Sequence, residues 1–192
     1  ATLKAFEPFV IRNAVYPPPE TGEDVRDKFS IPREGFLLGY LGRADENKGP
    51  ALLFDALRDN DHWLLLAGKD MPKPPPELEA SVEDRIRVWP FEVPNPGDFY
   101  RALDVFVLPS KDEGFPLCVS EAFLCGCRVV STRVSDLEEV FGERAMAFFD
   151  HGDVQGLRDA ILRAPDPSFG QQVIREKLSV ERMLDGYEAA LA

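Results

Sequence analysis

The chain has 192 residues, the length of one domain with a sizeable core, and 44% of them are hydrophobic, which excludes an intrinsically disordered chain. Acidic residues outnumber basic ones 34 to 22, for a net charge of -12. That field repels nucleic acid and anionic membrane surfaces, so neither is expected as a partner, and any anionic ligand must be held by a few locally placed cations.

Residues 1–30 hold one short apolar cluster, Phe9-Val10-Ile11, followed by Arg12-Asn13-Ala14-Val15-Tyr16 and three prolines. Phe36 to Leu41 reads as the first core strand, and Pro50 with Leu53 and Leu57 reads as the next helix. Between them lies Gly42-Arg43-Ala44-Asp45-Glu46-Asn47-Lys48-Gly49. A glycine at a strand's carboxyl end lets the backbone approach a ligand closely, and ligands of open parallel sheets bind outside those ends. Arg43 offers a planar fork to phosphate oxygens and Lys48 a compact point charge; a plain solvated loop is the alternative. His62 to Ala67 is a second buried strand closed by Gly68, and the four prolines of Met71 to Pro76 mark an extended surface loop. Ile86 to Trp89 is a shorter third strand leading into Pro90-Phe91-Glu92-Val93.

Phe99, Tyr100 and Leu103 lie at helical spacing before a fourth strand, Val105 to Leu108, an unbroken apolar run ended by Pro109. Pro116 suits the first turn of the next helix and Gly126 its C-terminal cap. Arg128 to Thr132 is a fifth strand. Ser135 and Glu138 form a capping-box signature before Leu137, Val140 and Phe141. Ala145 to Phe149 is a sixth short apolar stretch. Amphipathic helices follow over Val154, Leu157, Ile161 and Leu162, and over Val180, Met183, Leu184, Tyr187 and Leu191. There is no internal repeat, so the expectation is one α/β domain over residues 1–192: a doubly wound, Rossmann-like parallel sheet of about six strands with helices on both faces.

Cys118, Cys125 and Cys127 are an odd set clustered on one helix and the next strand. With two histidines in the chain they read as small buried thiols, and no metal site or cofactor is expected. No secretory leader opens the sequence and no apolar run approaches the ~20 residues that span a bilayer, so a cytoplasmic location is expected. The dinucleotide fingerprint G-x-G-x-x-G is missing after the first strand, and the pattern G-x4-G-K-S/T occurs nowhere. Ser120 has no histidine near it in the sequence that could make it a nucleophile.

The informative stretch is Val105 to Thr132, V-F-V-L-P-S-K-D-E-G-F-P-L-C-V-S-E-A-F-L-C-G-C-R-V-V-S-T. The free amides of Leu117 and Cys118 sit at a helix start, where roughly half a positive charge favours phosphate. Glu113 precedes that anion site and Glu121 follows it. A nucleotide sugar has the same layout of sugar, diphosphate and ribose.

Glu113 and Glu121 stand eight positions apart, and the string from Glu113 to Thr132 resembles the E-x7-E signature of retaining GT-B glycosyltransferases, particularly family 4. G-R-x4-K-G from Gly42 to Gly49 resembles that family's diphosphate clamp. V-I-R-N-A-V at residues 10–15 resembles the segment with which such chains enter their second domain, Arg12 and Ala14 standing where the family has Pro and Gly. A second departure is Arg133-Val134-Ser135, where the family has a glycine-rich turn.

The resemblance implies the donor-binding half of a GT-B enzyme, with residues 1–30 arriving from a missing N-terminal acceptor domain and residues 180–192 forming a terminal helix that packs toward it. Arg43 and Lys48 would neutralise the diphosphate, Glu113 would take the sugar hydroxyls with Gly114, Phe115 and Pro116 alongside, and Glu121 would grip the ribose. Arg43, Lys48 and Glu113 are the expected catalytic residues. Gly42, Leu117 and Cys118 complete the donor contacts, and Phe91 or the backbone near Val93 would meet the base, unless Phe91 is a core aromatic. The substrate would be a UDP-, GDP- or ADP-sugar, and the acceptor a glycan, lipid or small molecule, as in polysaccharide biosynthesis. A non-catalytic nucleotide-binding or partner-docking module and a sugar-nucleotide epimerase are the alternatives.

Overall fold

The computed structural model describes residues 10–90 and 92–191. In chain order the elements are α1 (Val25–Lys28), β1 (Leu37–Leu41), α2 (Leu52–Ala56), β2 (Trp63–Gly68), α3 (Pro76–Val82), β3 (Ile86–Pro90), α4 (Pro96–Ala102), β4 (Val105–Leu108) and α5 (Leu117–Leu124). They continue with β5 (Arg128–Thr132), α6 (Leu137–Val140), β6 (Ala147–Phe149), α7 (Val154–Arg163), α8 (Ser168–Lys177) and α9 (Val180–Leu191). The six strands form one sheet in the order β3-β2-β1-β4-β5-β6, every pair parallel.

Strand alternation divides the core. Leu37, Leu65, Phe106 and Leu108 point to the face covered by α1, α4, α5 and α8, while Leu38, Tyr40, Leu64, Val105 and Val107 meet α2, α3 and α7. All four side chains of β4 are buried, and each contributes about 1.5–3 kcal/mol by leaving water. A strand covered on both faces has no polar positions, which is why β4 reads as a continuous apolar run. The expected doubly wound α/β architecture is therefore the observed one.

Two local expectations are corrected. Pro116 is not in the first turn of α5 but caps it from outside, in extended conformation (φ -76°, ψ 100°), because its ring fits a cap as readily as the first helical position. Ser135 and Glu138 form no capping box. Asp136 precedes α6, Glu138 pairs with Arg133, and the Ser135 hydroxyl goes elsewhere. Gly126 does terminate α5: at φ 80° its amide donates to the Phe123 carbonyl while Cys127 donates to Ala122, the paired bonds of a Schellman ending.

Helices α3 and α8 were not expected from the sequence. α8 lies against α5 so closely that a Cβ on Gly170 would stand 2.5 Å from the Phe123 ring. The terminal helix α9 buries none of its residues; it meets the opening segment, where the Ala14 amide lies 3.5 Å from Met183 Sδ, and leaves Leu184, Tyr187 and Leu191 exposed. Among the described residues no helix is long and apolar enough to cross a membrane.

Candidate functional site

Strand order reverses between β1 and β4, so the loops leaving their carboxyl ends, residues 42–51 and 109–116, diverge and leave a crevice. The two loops are fastened together. Lys111 donates its amide to the Asn47 carbonyl at 2.6 Å, and Asn47 Nδ2 donates to the Asp112 carbonyl at 3.1 Å. Gly49, at φ 61°, passes so close that a Cβ there would stand 2.9 Å from the Pro109 carbonyl oxygen. Only glycine meets both demands.

This closeness brings Lys48 to Glu113. The ammonium lies 2.7 Å from Glu113 Oε1, with the two side chains only 19% and 12% exposed. Ser110, fully buried, donates its hydroxyl to the same oxygen at 2.7 Å, and its own carbonyl accepts from Thr132 Oγ1 at 2.5 Å. Glu113 Oε2 accepts from none of the described residues and remains open to a hydroxyl. The family resemblance implies Lys48 on phosphate and Glu113 on sugar; in the free chain they hold each other.

Beyond them begins α5. The Val119 amide reaches the Pro116 carbonyl at 3.2 Å, while the Leu117 and Cys118 amides have no acceptor among the described residues. Leu117 is exposed and Cys118 half-buried. Burial, with Glu113 and Glu121 nearby, pushes the Cys118 thiol up to about 12, so it stays neutral. Cys125 is likewise raised, to about 11, mainly by burial.

Further along α5, Glu121 is half-buried and accepts from the Tyr100 hydroxyl at 3.0 Å. Burial first, then the neighbouring Cys118 and Glu121, holds the Tyr100 phenol in its protonated, donating form. In the sequence Tyr100 is one of three residues at helical spacing; the signal for its role is its hydroxyl, since a buried tyrosine usually finds a polar partner. Ser120 is fully buried with its Oγ unpartnered among the described residues, no place for a nucleophile.

Arg43 does not join Lys48. Its side chain is 80% exposed, 3.4 Å from Asp45, and lines an adjoining cleft of about 900 Å³ with Leu41, Gly42, Gly68, Lys69, Glu92 and Val93. The Arg43 carbonyl accepts from Tyr40 Oη at 2.5 Å. Gly42 sits tightly, since a Cβ there would stand 2.8 Å from the same hydroxyl. Gly114 is exposed with open space around its Cα, and Phe115 packs on the core. Phe91 lies outside the described residues. Among the described residues no cluster of three or more His, Cys, Asp or Glu could hold a metal ion.

Residues 35–165 match the family model described as glycosyl transferases group 1. The chain is 35% identical over 126 residues to a D-inositol 3-phosphate glycosyltransferase of Xylanimonas cellulosilytica, covering 60% of this chain and 30% of that protein. It is 30% identical over 128 residues to the O-antigen biosynthesis glycosyltransferase WclY of Escherichia coli, covering 64% and 36%. The chain thus spans well under half the length of the curated relatives it matches. Among solved structures, HepE of Anabaena in complex with UDP-glucose superposes with a TM-score of 0.73 at 20% identity, over 92% of this chain and 55% of that one. Sucrose-phosphate synthase from Thermosynechococcus elongatus gives 0.70 at 23%, over 92% and 48%. At such identities these two likenesses establish a shared fold.

Proposed function

The chain belongs to the group 1 glycosyl transferases, and from that premise we propose that it is the donor-binding half of a retaining enzyme that transfers a sugar from a nucleoside-diphosphate sugar without a resident metal. The observation that carries the reading is the Lys48–Glu113 contact at 2.7 Å, set between two fastened loops and the start of α5. It joins a cation suited to the diphosphate with a carboxylate suited to sugar hydroxyls.

On binding, Lys48 moves onto the diphosphate, helped by the free amides of Leu117 and Cys118 and by the exposed fork of Arg43. These groups stabilise the charge that grows on the departing nucleotide. Glu113 then turns both oxygens to the sugar, and Glu121, steadied by Tyr100, takes the ribose diol. Arg43, Lys48 and Glu113 act on the reacting end; Gly42, Gly114, Phe115 and Pro116 shape its walls, and the adjoining cleft lined by Lys69, Glu92 and Val93 takes the base. UDP-glucose in a structural neighbour supports a UDP-sugar donor, with GDP- and ADP-sugars as the other candidates. The E-x7-E spacing supports retention of configuration, and the cations provide charge that a divalent ion supplies in other transferases.

The acceptor site and the groups opposite the reacting carbon belong to an N-terminal domain preceding residue 1. The 192-residue chain alone therefore binds donor and transfers poorly. Calorimetric titration with UDP-glucose, GDP-mannose and ADP-glucose tests the reading: binding of none of them to the wild-type chain refutes it. In the full-length protein, transfer unaffected by EDTA and a product with the donor's anomeric configuration are the expected results.

A further inference from the structure

One segment with no assigned donor role meets the loop carrying Glu113, and a second segment holds the first. Ser135, in the turn between β5 and α6, donates its hydroxyl to the Gly114 carbonyl, and its Oγ also stands 3.2 Å from Asp136 Oδ1. The other oxygen of Asp136 is held by Arg12, 2.8 Å from Nε and 2.6 Å from Nη2, across 124 positions of sequence. Arg12 Nη2 also reaches Glu139 at 3.2 Å. The Arg12 and Asp136 side chains are only 30% and 28% exposed, so water screens the pair incompletely.

A serine hydroxyl has one proton. Ser135 gives it either to the Gly114 carbonyl or to the Asp136 carboxylate. Arg12 biases the choice, because a guanidinium bound through two nitrogens offsets the charge of Asp136 and weakens it as a competing acceptor. Gly114 has use for the restraint. It carries no side chain, and nothing lies within 4 Å of where a Cβ would be. The peptide from Gly114 to Phe115 is planar and trans, so fixing the carbonyl fixes the Phe115 N–H on the opposite side. That N–H has no acceptor among the described residues. Ser135 itself stands at φ 53°, a left-handed conformation that glycine adopts at no steric cost and serine does not. What serine adds there is the hydroxyl.

We propose that Ser135 is a positioning residue for the donor loop: its hydroxyl holds the Gly114–Phe115 peptide so that the Phe115 N–H faces the bound sugar nucleotide, and Arg12, through Asp136, keeps that hydroxyl so directed. The ligand half of this inference rests on the donor-binding reading above; the loop half does not. Residues 10–15 and the donor loop are thereby mechanically joined.

The test uses the 192-residue chain as wild type, S135G, R12A and the double variant. It reads amide order parameters from 15N relaxation without ligand, thermal midpoints, and calorimetric titration with UDP-glucose, GDP-mannose and ADP-glucose. S135G is expected to keep or raise the thermal midpoint, to lower the order parameters of Gly114 and Phe115, and to weaken the preferred sugar nucleotide by about three- to tenfold. R12A is expected to act in the same direction, with its effect absent once S135G is present. Unchanged order parameters in S135G, additive effects of the two substitutions, or a loosened loop with unchanged donor affinity each overturn the proposal. Failure of the wild-type chain to bind any of the three probes, with the relaxation effect intact, overturns the donor reading and leaves the loop contact standing.

Discussion

Replacing Glu113 with glutamine keeps the shape of the side chain and removes its charge. Oε1 of Glu113 holds the Lys48 ammonium and the Ser110 hydroxyl, both at 2.7 Å, in a place where both ionic side chains are largely shielded. A charge-assisted hydrogen bond there contributes about 1.5–3 kcal/mol, so loss of the sugar contact predicts about 10- to 150-fold weaker binding of the sugar nucleotide. The free nucleoside diphosphate has the opposite expectation. Lys48 must leave Glu113 to reach phosphate, and with a neutral amide in place that separation costs less, so UDP binds as before or more tightly. Losing the ion pair should lower stability by roughly 1–2 kcal/mol, or about 2–8 °C in Tm for a chain of this size. Parallel calorimetric titrations with the preferred sugar nucleotide and its free diphosphate decide the matter. Equal losses for the two ligands would refute the division of labour between Lys48 and Glu113.

Tyr100→Phe removes the 3.0 Å contact to Glu121; it should destabilise by about 1 kcal/mol and weaken ribonucleotide binding severalfold, with no effect on a 2′,3′-dideoxy analogue. Gly49→Ala should cost about 1–3 kcal/mol by denaturant unfolding, because φ is 61° and the Pro109 carbonyl is 2.9 Å from the new Cβ, whereas Gly114→Ala should leave stability unchanged. Folding raises the thiols of Cys118 and Cys125 to about 12 and 11. The neutral thiol is therefore the form the folded chain prefers, and that stability is fully present below the unfolded value near 9 and lost as pH rises toward 11–12. Thermal midpoints should fall above about pH 9, less steeply in Cys125→Ala, and a flat profile there would contradict the raised values.

The strands were legible because their determinants are local: apolar runs ended by Pro109 and Gly68, and glycines where a backbone bends or approaches. Lys48, Glu113 and Glu121 were legible as chemistry, although their partners were not. Tyr100 reaches Glu121 across 21 residues through the packing of α4 on α5, which no spacing records, and Ser110 stands only three residues before Glu113 but in a loop, where spacing does not say which side chains meet. Ser135 shows a different failure. Its pattern with Glu138 fits a cap, but Gly114, 21 residues away, competes for the same hydroxyl. Helix α8 is hard to read in the sequence because Pro165 and Pro167 stand just before it and Gly170 falls in its first turn, although Gly170 is what lets it seat on Phe123. Arg43 is a long, exposed side chain, so adjacency to Gly42 could not set its direction.

The bonds between Asn47, Lys111 and Asp112 have a consequence for how such a protein diversifies. They weld the end of the crevice that holds Lys48 and Glu113 into a single part, so that inserting or deleting a residue on either side would disturb both. The cleft lined by Lys69, Glu92 and Val93 lies outside that weld. On the donor-binding proposal, changes in the preferred base have room to accumulate there while the Lys48–Glu113 end is inherited intact.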